Sequence, residues 1–392
     1  MRLFVRLCVF SLCSALLYGA NSSTTINDQG TILRNGEPYF PFGIYHVSWS
    51  GQRYGKDRDK DLKAIRTNGL NVFHGSVDPT SRKADYTFLD QAAEDEVAIF
   101  AELHIQSMDI LIERMKDNEA IMAWTIADDF NITNSQNYST PEQLRARHLQ
   151  AKQITPNRLT YGSGGTARVD HYRSYIDYEG CVDLVGLQCY PVGNPPGFTP
   201  KNLLERCYQL YNVRAAQVLE AGMVPIANLQ SFSWVKRGLF PTPSQSRNML
   251  YGSLVAGVKG VLYYTYYDNQ KINGALTLDQ QAPELWQEIG RQAQEIETIL
   301  PYLFGKRILI QSSKPRFHLA QWTRGDDSML VVFSTENIMT HELDEEIPIL
   351  KGYHLEPMFE DRPAGLQIHE ATLQGSLAPE QVHVYRLVPS SR

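Results

Sequence analysis

From about residue 40 onward, short apolar runs alternate with amphipathic, charged stretches, and the alternation repeats eight times. This pattern favours a parallel sheet covered by helices. Eight strand–helix pairs in ~260 residues are typical of a (β/α)8 TIM barrel, the fold class we predict. The predicted strands are residues 40–46, 71–74, 98–104, 121–128, 158–161, 183–190, 224–230 and 260–266. The predicted helices are residues 57–67, 88–96, 109–116, 141–153, 168–178, 203–221, 244–256 and 283–300.

The segments before and after the strand–helix alternation show a different residue pattern. Residues 31–42 carry Asn35-Gly36, a hairpin turn signal, and we expect this hairpin to close the bottom of the barrel. After residue 304, short strands with turn residues between them predict a small antiparallel β-sandwich. Its predicted strands are residues 316–322, 328–335, 346–350 and 381–388. The predicted division is therefore a barrel over residues 21–304 and a β-sandwich accessory domain over residues 305–392.

The amino terminus is typical of a signal peptide. Arg2 and Arg6 precede or flank an apolar run that ends at Tyr18, and the small residues Gly19 and Ala20 follow. The run is shorter than the ~20 residues that span a bilayer, so we expect cleavage near residue 20 and a secreted or periplasmic protein. In an oxidising compartment Cys181 and Cys207 are a candidate pair, although spacing alone does not fix the connectivity.

Charge and composition narrow the ligand class. The net charge is −6 and long Lys/Arg runs are absent, which argues against nucleic acid as the main ligand. Aromatic residues make up 10% of the chain without a basic surplus. This fits a neutral polar ligand such as a sugar, and core packing accounts for it equally well. The CxxC and HExxH spacings are absent from the sequence, so we expect neither a metal site nor a cofactor.

Polar and aromatic side chains stand at the carboxyl ends of the predicted strands, where barrels of this kind carry their chemistry. Strands buried on both faces are normally apolar throughout, so polar groups at their ends need a reason. Acids, amides and aromatic rings at one mouth suit a sugar site, because rings stack on pyranose faces and polar groups bond hydroxyls. The candidates are Glu102, His104, Asp128, Asp129, Gln188, Tyr190, Gln230, Trp234, Tyr266 and Asp268.

The adjacent acids Asp128 and Asp129 are the most informative pair. A carboxylate crowded by another carboxylate has a raised pKa, and a raised pKa keeps a general acid protonated at working pH. The alternative is a helix N-cap, in which an Asp satisfies free backbone N–H groups.

Three segments carry a resemblance to secreted glycoside hydrolases of the clan A barrel type. Residues 31–46 resemble the opening hairpin and first strand of such enzymes, and residues 118–130 resemble their fourth-strand segment. Residues 225–269 resemble the seventh and eighth strands, with Gln230-Ser231-Phe232-Ser233-Trp234 as the most telling stretch. The resemblance implies a barrel that hydrolyses glycosidic bonds of an oligo- or polysaccharide. It also implies an acid/base at Asp129 and a supporting role for Asp128.

The sequence departs from that family at two positions. Asp129 stands where the family has a Glu, and Gln230 stands at or near the family's nucleophilic Glu. Gln is no carboxylate nucleophile, so three alternatives stay open. Glu102 or Asp268 acts as base for water in an inverting reaction, or the acetamido group of the substrate attacks with Asp128 and Asp129 as helper and acid. In the third, the barrel binds sugar without cleaving it.

We therefore expect Asp129 to protonate the leaving oxygen and Asp128 to orient it. His104, Gln188, Tyr190, Gln230, Trp234, Tyr266 and Asp268 are expected to bind substrate, and Glu102 to join the catalytic group. An ester or amide hydrolase is the weaker rival, because a GxSxG nucleophile elbow is absent from the sequence.

Overall fold

The computed structural model describes residues 22–47, 56–77, 83–166, 171–193, 195, 197–234, 238–267 and 276–390. The predicted signal peptide and Asp268 lie outside these residues. A small antiparallel sheet begins the described chain, formed by strands β1 (Thr24–Ile26), β2 (Ile32–Arg34) and β3 (Glu37–Pro38). The turn at Asn35-Gly36 has positive φ at both residues, as the Asn-Gly signal predicts.

Eight parallel strands close into the barrel, which confirms the predicted fold class. They run in chain order around the barrel, so the first strand pairs with the last. The strands are β4 (Phe42–His46), β5 (Val72–Ser76), β6 (Ala98–Glu102), β7 (Ile121–Ala127), β8 (Leu159–Gly165), β9 (Leu184–Cys189), β10 (Val224–Gln230) and β11 (Val261–Tyr267).

Helices cover the barrel on the outside. They are α1 (Lys56–Thr67), α2 (Lys83–Glu94), α3 (Met108–Met115), α4 (Pro141–Ile154), α5 (Leu203–Glu220), α6 (Pro243–Ala256), α7 (Leu278–Gln281) and α8 (Pro283–Leu303). Both α4 and α6 begin with a Thr N-cap, Pro at the first position and a Gln that completes a capping box. These signals fix where each helix starts, because they satisfy backbone N–H groups that lack a helical partner.

The lumen is filled by side chains that alternate along the strands. Phe100, Met122, Leu159, Leu184 and Leu262 belong to this inner cluster. Ile32 of β2 belongs to it as well, so the amino-terminal sheet packs against the bottom of the barrel as expected. Because these described residues fill the lower lumen, we expect a cavity at the upper end, where the strands have their carboxyl ends.

The helix predicted over residues 168–178 is wrong for the part that the structure describes. A single 3-10 turn, Tyr175–Tyr178, stands there instead. Strand β8 runs on to Gly165, beyond its predicted end. The chain that follows is tied to the loop after β7, because Thr133 N donates to His171 O and Arg173 N donates to Asn131 O. These bonds replace the i to i−4 bonds of a helix.

Two antiparallel sheets follow α8. One contains β12 (Lys306–Ile310), β13 (Phe317–Arg324), β14 (Asp327–Ser334), β16 (Tyr353–Pro357) and β19 (Val382–Pro389), and the other contains β15 (His341–Glu346), β17 (Gln367–His369) and β18 (Thr372–Leu377). A shared apolar core joins them as a sandwich. The strand predicted over residues 346–350 is wrong, because Pro348 begins a 3-10 turn there and proline has no N–H for a sheet.

Cys181, Cys189 and Cys207 are buried and carry free thiols, so the candidate Cys181–Cys207 pair is not formed. Within the described ranges, no helix is both long and apolar enough to cross a membrane.

Candidate active site

A cavity of about 410 Å³ opens at the carboxyl ends of the barrel strands. Polar side chains from the ends of β7 and β9 form part of its wall, and aromatic rings from the ends of β4, β9, β10 and β11 form another part. The principal lining residues are Tyr45, Asp128, Asp129, Gln188, Tyr190, Phe232, Trp234 and Tyr264, with Tyr172 and His171 contributed after β8. The cavity therefore brings together Asp128, Asp129, Gln188, Tyr190 and Trp234 of the predicted site residues.

Asp128 and Asp129 directly follow β7, which is buried along its whole length. Asp129 has φ of 50°, in the left-handed region. Asp occupies this region more readily than most residues, yet the conformation still favours a turn over a strand or helix. The turn ends β7 abruptly and leaves both acids at the mouth of the barrel instead of within the wall.

The Asp128 carboxylate is held by side chains from the next two strands. Ser163 of β8 donates its hydroxyl to Asp128 Oδ1, and Gln188 Nε2 of β9 donates to the same oxygen at 3.1 Å. Gln188 Nε2 also lies 3.1 Å from Ser163 Oγ. Both partners point inward because they keep step with buried lumen residues of their strands. The carboxylate is thus oriented before any ligand arrives.

Burial raises the pKa of both acids, and the charge of Asp128 raises the pKa of Asp129 further. Asp129 has its pKa raised to about 6, first by desolvation and second by the charge of Asp128, while a hydrogen bond from Gln188 acts in the opposite direction. Desolvation also raises the pKa of Asp128, opposed by bonds from Ser163, the Asp129 backbone and Gln188. The side chain of Asp128 is exposed to the cavity, and the cavity itself is enclosed by protein at the barrel mouth. Asp129 can therefore hold a proton near neutral pH.

The floor of the cavity is an uncharged polar network that sequence reasoning missed. Tyr45 Oη lies 2.6 Å from Tyr161 Oη, Tyr161 Oη donates to Asn228 Oδ1 at 2.9 Å, and Asn228 Nδ2 donates to Tyr45 Oη at 2.9 Å. The ring of His74 lies 3.7 Å from that of Tyr45, and burial lowers the pKa of His74 to about 3. Alternation along each strand could have identified these residues, because each either belongs to the inner cluster or lies an even number of positions from one of its side chains on the same strand.

A group of aromatic rings in edge-to-face and tilted contact lines the same cavity as the acids. Tyr190 lies 5.2 Å from Phe232 and 5.7 Å from Tyr264, and Phe232 lies 4.9 Å from Trp234, measured between ring centroids. Trp234 remains 44% exposed, so one of its surfaces is available to a ligand. We call Tyr190, Phe232, Trp234 and Tyr264 the aromatic wall.

Glu102 lies beside the main cavity. It lines a small cavity together with His74 and Asp128, and a further cavity of about 420 Å³ together with Arg147 and Asp128. Asp128 therefore separates two open regions of the mouth. His104 follows β6 with an exposed side chain and is not among the described residues that line these three cavities, so its predicted role in binding substrate stays a prediction.

Gln230 corrects the expectation that its amide bonds substrate hydroxyls. The residue is fully buried. Its Oε1 accepts from Val192 N at 2.8 Å, and its Nε2 donates to Val192 O and Phe232 O, each at 2.9 Å. The amide therefore fixes the loops after β9 and β10, and with them the aromatic wall.

Tyr266 is a second correction. It lies in the outer layer, where its hydroxyl donates to Asp279 Oδ1 at 3.1 Å and its ring packs 5.0 Å from that of Trp286. Tyr264, two residues earlier, takes the inward position. In a regular strand these two tyrosines would share a face, but the pairing of β11 with β4 shifts register between Tyr263 and Tyr267. This irregularity breaks the alternation, so the inward position falls to Tyr264 and Tyr266 turns to the outer layer.

Comparison with solved structures shows where this architecture is found. A protein described as a glycoside hydrolase superposes with a TM-score of 0.67 at 13% identity, covering 95% of this chain and 98% of its own. A glycoside hydrolase family 5 protein from Bacteroides vulgatus gives the same TM-score and identity, with 95% of each chain covered. A GH30 endoxylanase from Clostridium papyrosolvens gives a TM-score of 0.51 at 11% identity, covering 94% of this chain and 98% of its own.

At these identities the likeness shows the fold alone, a (β/α)8 barrel followed by antiparallel sheets. No known family profile matches the sequence. No curated protein matches it either. Among the described residues, no group of three or more His, Cys, Asp or Glu side chains is placed to hold a metal ion.

Proposed function

We propose that this protein is a glycoside hydrolase in which Asp129 donates a proton to the leaving oxygen of an O-glycosidic bond. One observation carries the proposal: a carboxyl group with a pKa of about 6 faces an aromatic-lined cavity at the carboxyl end of the barrel. Solved glycoside hydrolases share this fold over nearly the whole chain.

The chemistry follows from what glycoside cleavage needs. The bond breaks through an oxocarbenium-like transition state, in which the leaving oxygen gains negative charge and the sugar ring gains positive charge. A protonated Asp129 meets the first demand, and the neighbouring Asp128 carboxylate meets the second. The aromatic wall supplies ring faces on which a pyranose can stack.

Replacing Asp129 by Asn tests the acid. Asn keeps the shape and tolerates the left-handed backbone, but it donates no proton. We expect kcat to fall by roughly 10²–10⁴-fold on a substrate with a poor leaving group, while sugar affinity changes by only a few fold. Release of reducing ends from a panel of aryl glycosides and polysaccharides is the measurement. Asp326→Asn, in an exposed turn of the sandwich, is the matched control.

Gln230 favours a second candidate, a carbohydrate-binding barrel without turnover, because the position of the resembling family's nucleophile carries a buried amide. The same panel decides between the two. Sugar binding without reducing-end release by the wild type supports the binder, and Asp129-dependent release rules it out. We further propose that the protein is exported, on the basis of the leader-like residues 1–20.

A further inference from the structure

The carboxylates of the cavity lie together on one side of the barrel mouth. Asp128 and Asp129 follow β7, and in the closed eight-stranded order β11 lies diametrically across from β7. Tyr264 occupies the cavity side of β11, and Tyr190, Phe232 and Trp234 follow β9 and β10. Among the described residues, the main cavity has Asp128 and Asp129 as its acids.

One amide serves both carboxyl groups. Gln188 Nε2 donates to Asp128 Oδ1 at 3.1 Å, and a Gln188 hydrogen bond also lowers the pKa of Asp129. The two groups therefore stand side by side. Hydrolysis by two opposed carboxylates instead needs them on opposite faces of the sugar, ~5–5.5 Å apart in retaining enzymes and ~6.5–9.5 Å apart in inverting ones.

Resting on the proposed function, we infer that the substrate is a 2-acetamido-2-deoxy glycoside whose own amide oxygen is the nucleophile, with Asp128 holding the amide N–H and Asp129 as the acid. Asp128 is already fixed by Ser163 and Gln188, so its carboxylate presents acceptor capacity to a donor in the cavity. The aromatic wall provides an apolar surface for the acetamido methyl group.

Tyrosine hydroxyls beside Asp128 complete the setting for an amide. The charge of Asp128 contributes to raising the pKa of Tyr45, Tyr161 and Tyr190, so all three hydroxyls lie near it and stay protonated. Tyr45 donates to Tyr161 and Tyr161 donates to Asn228 within the floor network, so Tyr190 is the one of the three whose hydroxyl can donate to the acetamido oxygen, while Asp128 accepts from the nitrogen. These paired contacts orient the amide toward C1.

The reaction balances in two steps. The acetamido oxygen forms a bond to C1 as the bond from C1 to the leaving oxygen breaks, Asp129 gives its proton to that oxygen, and Asp128 takes the amide proton. The product is a neutral oxazoline. Water then attacks C1 and gives a proton to Asp129, the ring C–O bond of the oxazoline breaks, and Asp128 returns its proton to nitrogen. Two inversions at C1 give net retention.

Matched aryl glycosides test this substrate class. We expect kcat/KM for 4-nitrophenyl 2-acetamido-2-deoxy glycosides, both anomers in the gluco and galacto series, to exceed that of the corresponding 2-hydroxy glycosides by at least ~10²-fold, because an intramolecular nucleophile is lost in the latter. Fluorination of the acetyl methyl group should lower kcat stepwise, and proton NMR should show retention at C1.

Variants separate the roles of the two acids. Asp128→Asn should lower kcat on the acetamido substrate by roughly 10²-fold or more with little change in KM, and it should weaken binding of a sugar-derived thiazoline that mimics the oxazoline. Ser163→Ala should have a smaller effect of the same kind, since Ser163 only positions Asp128. Circular dichroism checks that both variants fold.

Each outcome has a meaning. Three results would overturn the inference: equal rates on 2-hydroxy and 2-acetamido glycosides, inversion at C1, or loss of turnover of the acetamido substrate in Glu102→Gln or Asp268→Asn. Each of them is compatible with a hydrolase that uses Asp129 as its acid. Absence of release from every glycoside in the panel overturns both proposals. Rates confined to acetamido substrates, with sensitivity to fluorination, support the inference.

Discussion

At the scale of single residues, the acid pair combines properties that folding alone would select against. Asp129 has a left-handed backbone, a raised pKa and a charged neighbour. Each property costs stability, since strained backbones and buried like charges are both unfavourable. Such costs concentrate at functional sites, where proteins trade stability for chemistry.

Asp129→Asn should raise thermal stability at pH 7. The ordinary pKa of 3.8 in the unfolded chain rises to about 6 in the folded protein, so the folded state holds the proton more tightly. Stability of the wild type therefore falls as pH rises between these two values, and above pH 6 the full penalty remains. The variant lacks this charge. Its Tm should exceed that of the wild type at pH 7 and match it near pH 3.5, as measured by calorimetry. An equal Tm difference at both pH values would contradict the assignment.

The pH dependence of activity is an independent test of the raised pKa of Asp129. The falling limb of kcat/KM should lie near pH 6, because Asp129 must be protonated. Gln188→Ala removes a hydrogen bond that favours charged Asp129, so the limb should move to higher pH. In Gln374→Ala, which removes a Gln-to-Asp bond of 2.9 Å in the sandwich, the limb should stay in place. A limb that moves downward in Gln188→Ala would refute the interaction.

At the scale of elements, the barrel strands position the site through alternation and through close packing in the lumen. Gly186 of β9 is an example, because a Cβ there would lie 1.9 Å from Tyr161 Oη and 2.7 Å from Asn228 Nδ2. The glycine leaves room for the hydroxyl network that forms the floor. A strand normally disfavours glycine, so this position reflects a requirement for close approach.

Gly186→Ala should destabilise the protein by ~1–3 kcal/mol, because the new methyl group overpacks the lumen. It should also reduce activity by displacing Tyr161 and, through it, Tyr45. Denaturant unfolding gives the stability change. Gly252→Ala in α6 is the control: its nearest neighbour atom would be 3.6 Å away, and alanine is favoured over glycine in helices by about 1 kcal/mol. Equal effects of the two substitutions would contradict the packing argument.

At the scale of the whole molecule, a buried ion-pair network joins the barrel to the sandwich. Arg362 of the sandwich pairs with Glu288 of α8 at 2.9 Å, and Arg247 of α6 pairs with Glu295 of α8 at 3.0 Å. Arg247 Nη1 also donates to Val382 O of the sandwich at 2.6 Å. The sandwich is therefore bonded to α6 and α8, and through these helices it supports the barrel from outside.

Arg362→Leu should lower stability by about 1–3 kcal/mol, because the buried Glu288 and Glu295 each lose one charged partner and keep Arg291 and Arg247 respectively. Calorimetry should show a lower Tm, with the sandwich unfolding ahead of the barrel. Arg386→Leu removes an exposed pair with Asp327 and should cost only ~0–1 kcal/mol. If both variants lost the same stability, the network would have no role in joining the domains.

The sequence by itself determined the barrel, because apolar periodicity and capping signals are local and each strand or helix carries its own. It also identified Asp128, Asp129 and Tyr190, which directly follow strands, and Trp234 in the loop after β10, all of which line the cavity. Tertiary structure alone decided the orientation of several other polar side chains at the strand ends. The side-chain amide of Gln230 is hydrogen-bonded to the backbone of Val192 and Phe232, and the hydroxyl of Tyr266 to Asp279, while Tyr45 and Tyr264 point inward. Strand alternation does place Tyr45 inward, but the bonds of Gln230 and Tyr266 depend on how separate loops pack against each other, so no pattern within one strand encodes them.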